Sequence, residues 1–246
     1  MSTLEAKVAI VTGAAKGIGA AVVSLLQERG ARVCGVDLEK ADADLAVEGD
    51  VSESRTSEEA VAAATSEFGR LDILVNSAGI QRYGNVIDTP TDEWDRVIDV
   101  NLKSMFLTAK HAMPHLIDSG AGAIVNVASV QGFAAQRGVV AYSASKGGVI
   151  ALTRAIAVDH APAVRANCVC PGSVDTPMLR SAADLFGEGN PERALKEWGE
   201  MHPMGRVAHP REIAEAVAFL ASPQSSFITG VALLADGGLL SVISGT

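Results

Sequence analysis

Short runs of Val, Ile, Leu and Ala recur along the chain, and each ends at a small or polar residue. The first, Lys7-Val-Ala-Ile-Val-Thr12, is nearly continuous, as a strand covered on both faces requires. Gly13-Ala-Ala-Lys-Gly17-Ile-Gly19 follows and opens a helix expected over residues 17–29. Gly30 closes it, and Ala31-Arg-Val-Cys-Gly-Val-Asp37 is a second strand ending in a carboxylate. A weaker third strand, Ala46-Val-Glu-Gly-Asp50-Val51, again carries an acid at its end and leads into a helix over residues 53–68. Leu71-Asp-Ile-Leu-Val-Asn76 is a fourth strand, followed by a long helical region in which Trp94, Val97, Ile98, Leu102 and Met105 recur at near-helical intervals. Ala123-Ile-Val-Asn-Val-Ala128 is a fifth and delivers Ser129; a helix is expected over residues 141–159, then a sixth strand over 164–170. A helix over 210–220 and a strand over 227–235 close the chain. Strand and helix alternate throughout, which predicts an α/β fold: one domain, residues 1–246, built on a doubly wound parallel sheet of about seven strands with helices on both faces.

In such sheets ligands lie beyond the carboxyl ends of the strands, where Asp37, Asp50, Asn76, Ser129 and Pro171 all fall. Glycines in the first strand-to-helix turn let backbone approach a phosphate, and the amides of a helix start suit a dinucleotide pyrophosphate. Spaced G-x-x-x-G-x-G, they are a weak signal alone and gain weight from the strand-helix-strand order around them. An acid about 20 residues further on, here Asp37, suits a ribose 2′-hydroxyl and repels a 2′-phosphate, favouring NAD over NADP. Lys16 is either an opposing basic residue or a solvated surface charge; Asp37 weighs more because it faces the discriminating hydroxyl. Small residues in Asn76-Ser-Ala-Gly79 admit a ribose or adenosine. Asn101 is a polar residue in an apolar pattern, whose plain reading is a satisfied internal hydrogen bond.

Chemistry is expected in Ser129-Val-Gln-Gly-Phe and in Tyr142-Ser-Ala-Ser-Lys146. On a helix Tyr142 and Lys146 sit one turn apart on one face. A nearby ammonium favours phenolate over phenol and would draw a tyrosine toward neutrality, making it a usable proton donor and acceptor. Ser129 supplies a hydrogen bond to a substrate oxygen. In residues 178–205 periodicity fades, with Gly187, Gly189, Pro191 and Pro203 breaking up short helical pieces; their apolar residues, Leu179, Leu185, Phe186, Trp198 and Met201, point to a mobile lid over substrate.

Composition narrows the field. Net charge is −9 with no basic block, which argues against nucleic acid and acidic membranes as partners. No apolar run approaches the roughly 20 residues of a membrane span, and the N-terminus lacks a signal-peptide pattern, so a cytoplasmic location is expected. The three cysteines and five histidines have no ligand spacing, so no metal is expected. The apolar tail Leu239, Leu240, Val242 and Ile243 would be better covered than exposed.

Thr12-Gly-x-x-x-Gly-Ile-Gly19, Asn76-Ser-Ala-Gly79, Asn101, Ser129, Tyr142-x-x-x-Lys146 and Pro171-Gly172, in this order, resemble the short-chain dehydrogenase/reductase family over about residues 5–240. The one departure is Ser77, where that family usually has a second asparagine. The resemblance implies a Rossmann-type fold, a homotetramer, and Ser129, Tyr142, Lys146 and Asn101 as catalytic residues. Tyr142 would exchange the proton, Lys146 lower its pKa and hold the nicotinamide ribose, Ser129 position the oxygen, and Asn101 hold a water linking the lysine to solvent. It further implies that Gly13, Lys16, Gly17, Ile18 and Gly19 hold the pyrophosphate. Asp37 and Leu38 would meet the adenine ribose, and Asp50 and Val51 the adenine. Asn76, Ala78 and Gly79 would lie on the ribose side, and Pro171, Gly172, Val174 and Thr176 on the nicotinamide. The function expected is interconversion of a secondary alcohol and a ketone with NAD, on a sugar or polyol resembling L-fucose, with Gln81, Arg82, Gln131 and Gln136 meeting its hydroxyls. Two alternatives are a 3-oxoacyl-thioester reductase and a nucleotide-binding scaffold without turnover.

Overall fold

The computed structural model describes residues 4–242. Its strands are β1 (Val8–Thr12), β2 (Arg32–Asp37), β3 (Leu45–Glu48), β4 (Ile73–Asn76), β5 (Gly122–Val127), β6 (Val164–Pro171) and β7 (Ala232–Ala235). They form one parallel sheet in the order β3-β2-β1-β4-β5-β6-β7. The helices are α1 (Gly17–Glu28), α2 (Ser54–Phe68), α3 (Thr91–Ile98), α4 (Ser104–Asp118), α5 (Val140–His160), α6 (Pro177–Phe186), α7 (Pro191–Glu200) and α8 (Pro210–Ala221).

Alternation along the strands sorts the core into two layers. In β1, Ala9 and Val11 join Val22, Leu26, Val217 and Leu220 under α1 and α8. Val8 and Ile10 join Ala60, Ala64, Leu116 and Ile156 under α2, α4 and α5. Because the chain leaves β1 toward β2 and β3 and later returns to add β4 on the other side, strand order reverses between β1 and β4. The carboxyl ends there open a crevice.

The elements differ from the sequence reading in three places. β4 starts at Ile73 because Asp72 is spent anchoring the sheet: its buried carboxylate accepts from Lys7 Nζ at 2.8 Å, Val8 N at 3.0 Å and the Arg70 guanidinium at 2.6 and 2.8 Å. The last strand covers only Ala232–Ala235, since Phe227 lies fully exposed outside the sheet. The long central helix is two, α3 and α4, joined through a π-helical turn at Asp99–Lys103. In residues 178–205 the short helical pieces expected from the sequence are α6 and α7. Each has proline in its first turn and a side-chain cap, Thr176 Oγ1 accepting from Leu179 N and Asn190 Oδ1 from Arg193 N. Ile243, placed by the sequence in a covered tail, lies outside the described residues.

Candidate active site

A cleft of about 1000 Å³ runs along the carboxyl edge of the sheet. Every catalytic and cofactor residue expected from the sequence lines it except Asn76 and Asn101. At one end is the glycine turn. Gly13 has φ +67, and a Cβ there would come within 2.8 Å of the Ala78 backbone; at Gly19 it would stand 1.9 Å from the Gly13 carbonyl oxygen. Only glycine lets strand, turn and helix approach so closely. No side chain caps the start of α1, so its first amides are left for an anion. Asp37 sits at the end of β2, its Oδ2 accepting from Ala15 N at 3.0 Å. A wide cleft, a glycine cradle with open amides and a carboxylate at the second strand end fit a dinucleotide.

Asp50 is engaged on every side: Ser52 N and Oγ donate to Oδ1 at 2.9 and 2.7 Å, and Arg96 Nη2 to Oδ2 at 2.8 Å. Burial raises its pKa, but these donors outweigh it and the carboxyl is held below its usual range. Arg96 also lines the cleft, and the sequence offered no signal for it beyond a basic residue near the end of an amphipathic helix.

Asn76 and Asn101 stand behind the cleft. Asn76 Nδ2 donates to Asn126 Oδ1 at 2.9 Å, and its Oδ1 accepts from Thr108 Oγ1 at 2.6 Å. Asn126 continues the chain, Nδ2 donating to Thr153 Oγ1 at 2.9 Å. This polar ladder crosses from β4 through β5 to α5 inside the core. Asn101, fully buried at the π turn, accepts from Ile80 N at 2.8 Å and donates from Nδ2 to Ile80 O at 2.9 Å and Ser145 Oγ at 3.1 Å. Its side chain clamps the segment after β4 to α5 beside Lys146. Ser77 leaves nothing unpaired: Thr12 Oγ1 accepts from Ser77 N and Ala78 N, each at 3.2 Å, so that strand end is held without a side chain at position 77.

At the other end Ser129, Tyr142 and Lys146 share one wall of the cleft. Ser129 Oγ accepts from Gln131 N at 3.1 Å, which leaves its hydroxyl hydrogen free to donate. Lys146 Nζ donates to Val127 O at 2.8 Å and lies 5.5 Å from the Tyr142 ring centre. The expectation that Lys146 draws the Tyr142 pKa down is corrected here. Burial pushes the phenol up to about 12, with the Ser129 hydroxyl opposing the rise, and burial brings Lys146 down to about 8. Both groups are almost wholly covered, and the ammonium is turned toward Val127 O in the sheet.

The substrate end is walled by Tyr83, Phe186, Trp198 and Met201, with Gln81, Gln131 and Gln136 among its polar groups. The rings of Tyr83 and Phe186 meet edge to face at 4.7 Å, tying the segment after β4 to α6. Arg82, expected to meet substrate, instead pairs with Glu93 at 2.9 Å and does not line the cleft. His202, which the sequence reading passed over, is buried where α7 ends. Its Nδ1 lies 2.9 Å from Trp198 O and carries the proton, so Nε2 accepts from Ser173 N at 3.1 Å. It thereby pins the loop after β6.

A family model described as enoyl-(acyl carrier protein) reductase matches residues 13–240. The cis-4-hydroxycyclohexanecarboxylate dehydrogenase of Sinomonas cyclohexanicum is 41% identical over 96% of this chain and 97% of its own. The chain belongs to the short-chain dehydrogenase/reductase family. The 3-oxoacyl-(acyl-carrier-protein) reductase of Thermotoga maritima is 38% identical over 96% of this chain and 99% of its own. In its ligand-free structure, the aldohexose dehydrogenase of Thermoplasma acidophilum superposes with a TM-score of 0.96 at 41% identity, covering 100% of this chain and 98% of that one. This short-chain dehydrogenase/reductase is therefore an oxidoreductase of CH–OH groups that interconverts a secondary alcohol and a ketone using a nicotinamide cofactor.

Proposed function

We propose that the protein is an NAD-dependent dehydrogenase of an uncharged polyhydroxylated substrate, a sugar or polyol of the L-fucose kind. The observation that carries this reading is the charge pattern of the cleft. Its two surface cations, Lys16 and Arg96, are both held by carboxylates, Glu39 and Asp50, at 2.8 Å, and the substrate end is lined by amides, hydroxyls and aromatic faces. A hydroxylated ring suits such walls, with edges that hydrogen-bond and faces that pack on Tyr83 and Trp198. The aldohexose substrate named for the Thermoplasma acidophilum relative agrees with this. The 3-oxoacyl-thioester reading, work that usually runs on NADPH, is disfavoured by Asp37, whose carboxylate repels a ribose 2′-phosphate. Asp37 and Glu39 at the end of β2 favour a free ribose 2′-hydroxyl, hence NAD.

When bound, the nicotinamide supplies hydride acceptance at its ring. The chain's own residues manage the proton and the geometry. Tyr142, neutral at physiological pH, donates to or accepts from the substrate oxygen through its phenol. The Ser129 hydroxyl, oriented by Gln131 N, donates to the same oxygen. Lys146 holds the nicotinamide ribose. Asn101 is a positioning residue that fixes the segment after β4 against α5, and α6 with α7 acts as the lid. The outer faces of α4 and α5 and the β7 edge join four copies. Three buried, unpaired cysteines support a reducing, cytoplasmic setting.

The test compares initial rates with NAD and NADP on a panel of sugars, polyols and acetoacetyl-CoA, following the absorbance of the reduced nicotinamide. The expected result is turnover of a hydroxylated neutral substrate with NAD at least about tenfold above NADP. A strong NADPH preference with acetoacetyl-CoA as the better substrate would overturn it.

A further inference from the structure

We infer that Glu39 is a cofactor-selectivity residue that works by disarming Lys16, an inference resting on the NAD reading above. Lys16 is the residue before α1, beside the glycine turn, and its ammonium lines the cleft near Asp37. An unpartnered lysine there would attract a ribose 2′-phosphate and counter the repulsion from Asp37. The structure gives it a partner: Lys16 Nζ donates to Glu39 Oε1 at 2.8 Å. The glutamate sits two residues past the end of β2, where Asp37 Oδ1 accepts from Glu39 N in a long contact of 3.4 Å. Asp37 thus fixes the backbone from which Glu39 reaches back across the turn. The two carboxylates divide the work. Asp37 faces the hydroxyl, while Glu39 occupies Lys16, the cation that lines the cleft beside it, and adds a second negative charge.

Both partners are more than half exposed, so the pair is screened by salt, and its hold is strongest at low ionic strength. Selectivity through Glu39 should therefore weaken as salt rises. Removing the glutamate's charge should release Lys16 toward a 2′-phosphate, and the release should require Lys16.

Binding to the cofactor-free protein tests this without turnover, with 5′-AMP and 2′,5′-ADP as probes, titrated calorimetrically at low and at physiological salt. In Glu39→Gln the affinity for 2′,5′-ADP relative to 5′-AMP should rise about tenfold, as expected for one freed cation on a phosphate. Adding Lys16→Ala to Glu39→Gln should remove that gain, whereas Lys16→Ala alone should change the ratio less than about threefold. An unchanged ratio in Glu39→Gln, or an equal loss from Lys16→Ala in both backgrounds, would overturn the inference. The NAD reading fails separately, if the unaltered protein binds 2′,5′-ADP more tightly than 5′-AMP.

Discussion

Tyr142 and Lys146 show at the scale of single residues how far charge spacing reaches and where burial takes over. The four-residue spacing was enough to put phenol and ammonium on one helix face, and the structure keeps them on one wall of the cleft. The direction of the phenol's shift was not legible, because covering depends on β5, β6 and the loop after β4 folding over α5. Replacement of Tyr142 by Phe keeps the ring and removes the proton, so turnover should fall about 10³-fold. Binding of 5′-AMP should stay within about twofold of the unaltered protein; turnover that survives would remove Tyr142 from its role. Lys146 makes a prediction in pH. Its folded pKa lies near 8 against 10.5 for an ordinary lysine, because burial disfavours the charge. Between those values the unfolded chain binds a proton that the folded chain does not, so rising pH stabilises the fold through that window. Lys146→Met cannot gain in this way. Its Tm relative to the unaltered protein should drop by about 5 °C between pH ~8 and ~9.5, on the order of 2 kcal/mol for this chain length. A constant difference across that range, read by calorimetry, would show that Lys146 is not titrating there.

Among the elements, legibility tracked how much of each one faces the core. β1, β5 and β6 read directly as apolar runs because both faces of the central strands are covered. β3 and β7, at the two edges, are only half-buried, and there the pattern misjudged boundaries. The helices α6 and α7 read only as short helical pieces with faded periodicity, for a related reason. They cover a small cluster of their own, Ala183, Ala194 and Leu195 with Leu179 and Trp198, separate from the two layers under the sheet. Glu39 and His202 could not be singled out, since their roles come from partners distant in sequence. The separate cluster also has a dynamic consequence. A segment with few apolar ties to the main core opens by local rather than global unfolding. Backbone amides of residues 177–200 should therefore exchange hydrogen for deuterium at least about tenfold faster than those of β4 and β5, and slow when NAD is bound. Uniform exchange across α6, α7 and the sheet would mean that the lid is as rigid as its base.

On the scale of the whole molecule, the surface left over after folding argues for association. The exposed side of α5 presents Ala151, Ala155 and Val158 at helical spacing, and α4 beside it exposes Phe106 and Ile117. A second apolar region lies at the sheet edge, where Leu234 of β7, Phe219 of α8 and Phe227 are open. With a net charge of −9 each, copies of the chain repel one another at long range, so apolar burial has to hold them together, here across a helical face that also exposes Lys110 and Arg154. Two such regions are what a closed tetramer with two kinds of two-fold contact requires, and losing one should leave the other intact. Light scattering on the unaltered protein should therefore give four times the 25.3 kDa chain mass. Phe106→Glu combined with Val158→Glu places charge only on the helical face and should halve that mass. Both side chains lie outside the core and away from the cleft, so the cofactor-binding end should still take up 5′-AMP. Added salt should tighten rather than loosen the unaltered assembly, because it screens the repulsion and leaves apolar burial in place. A mass unchanged by the double substitution would show that α4 and α5 are not where the copies meet.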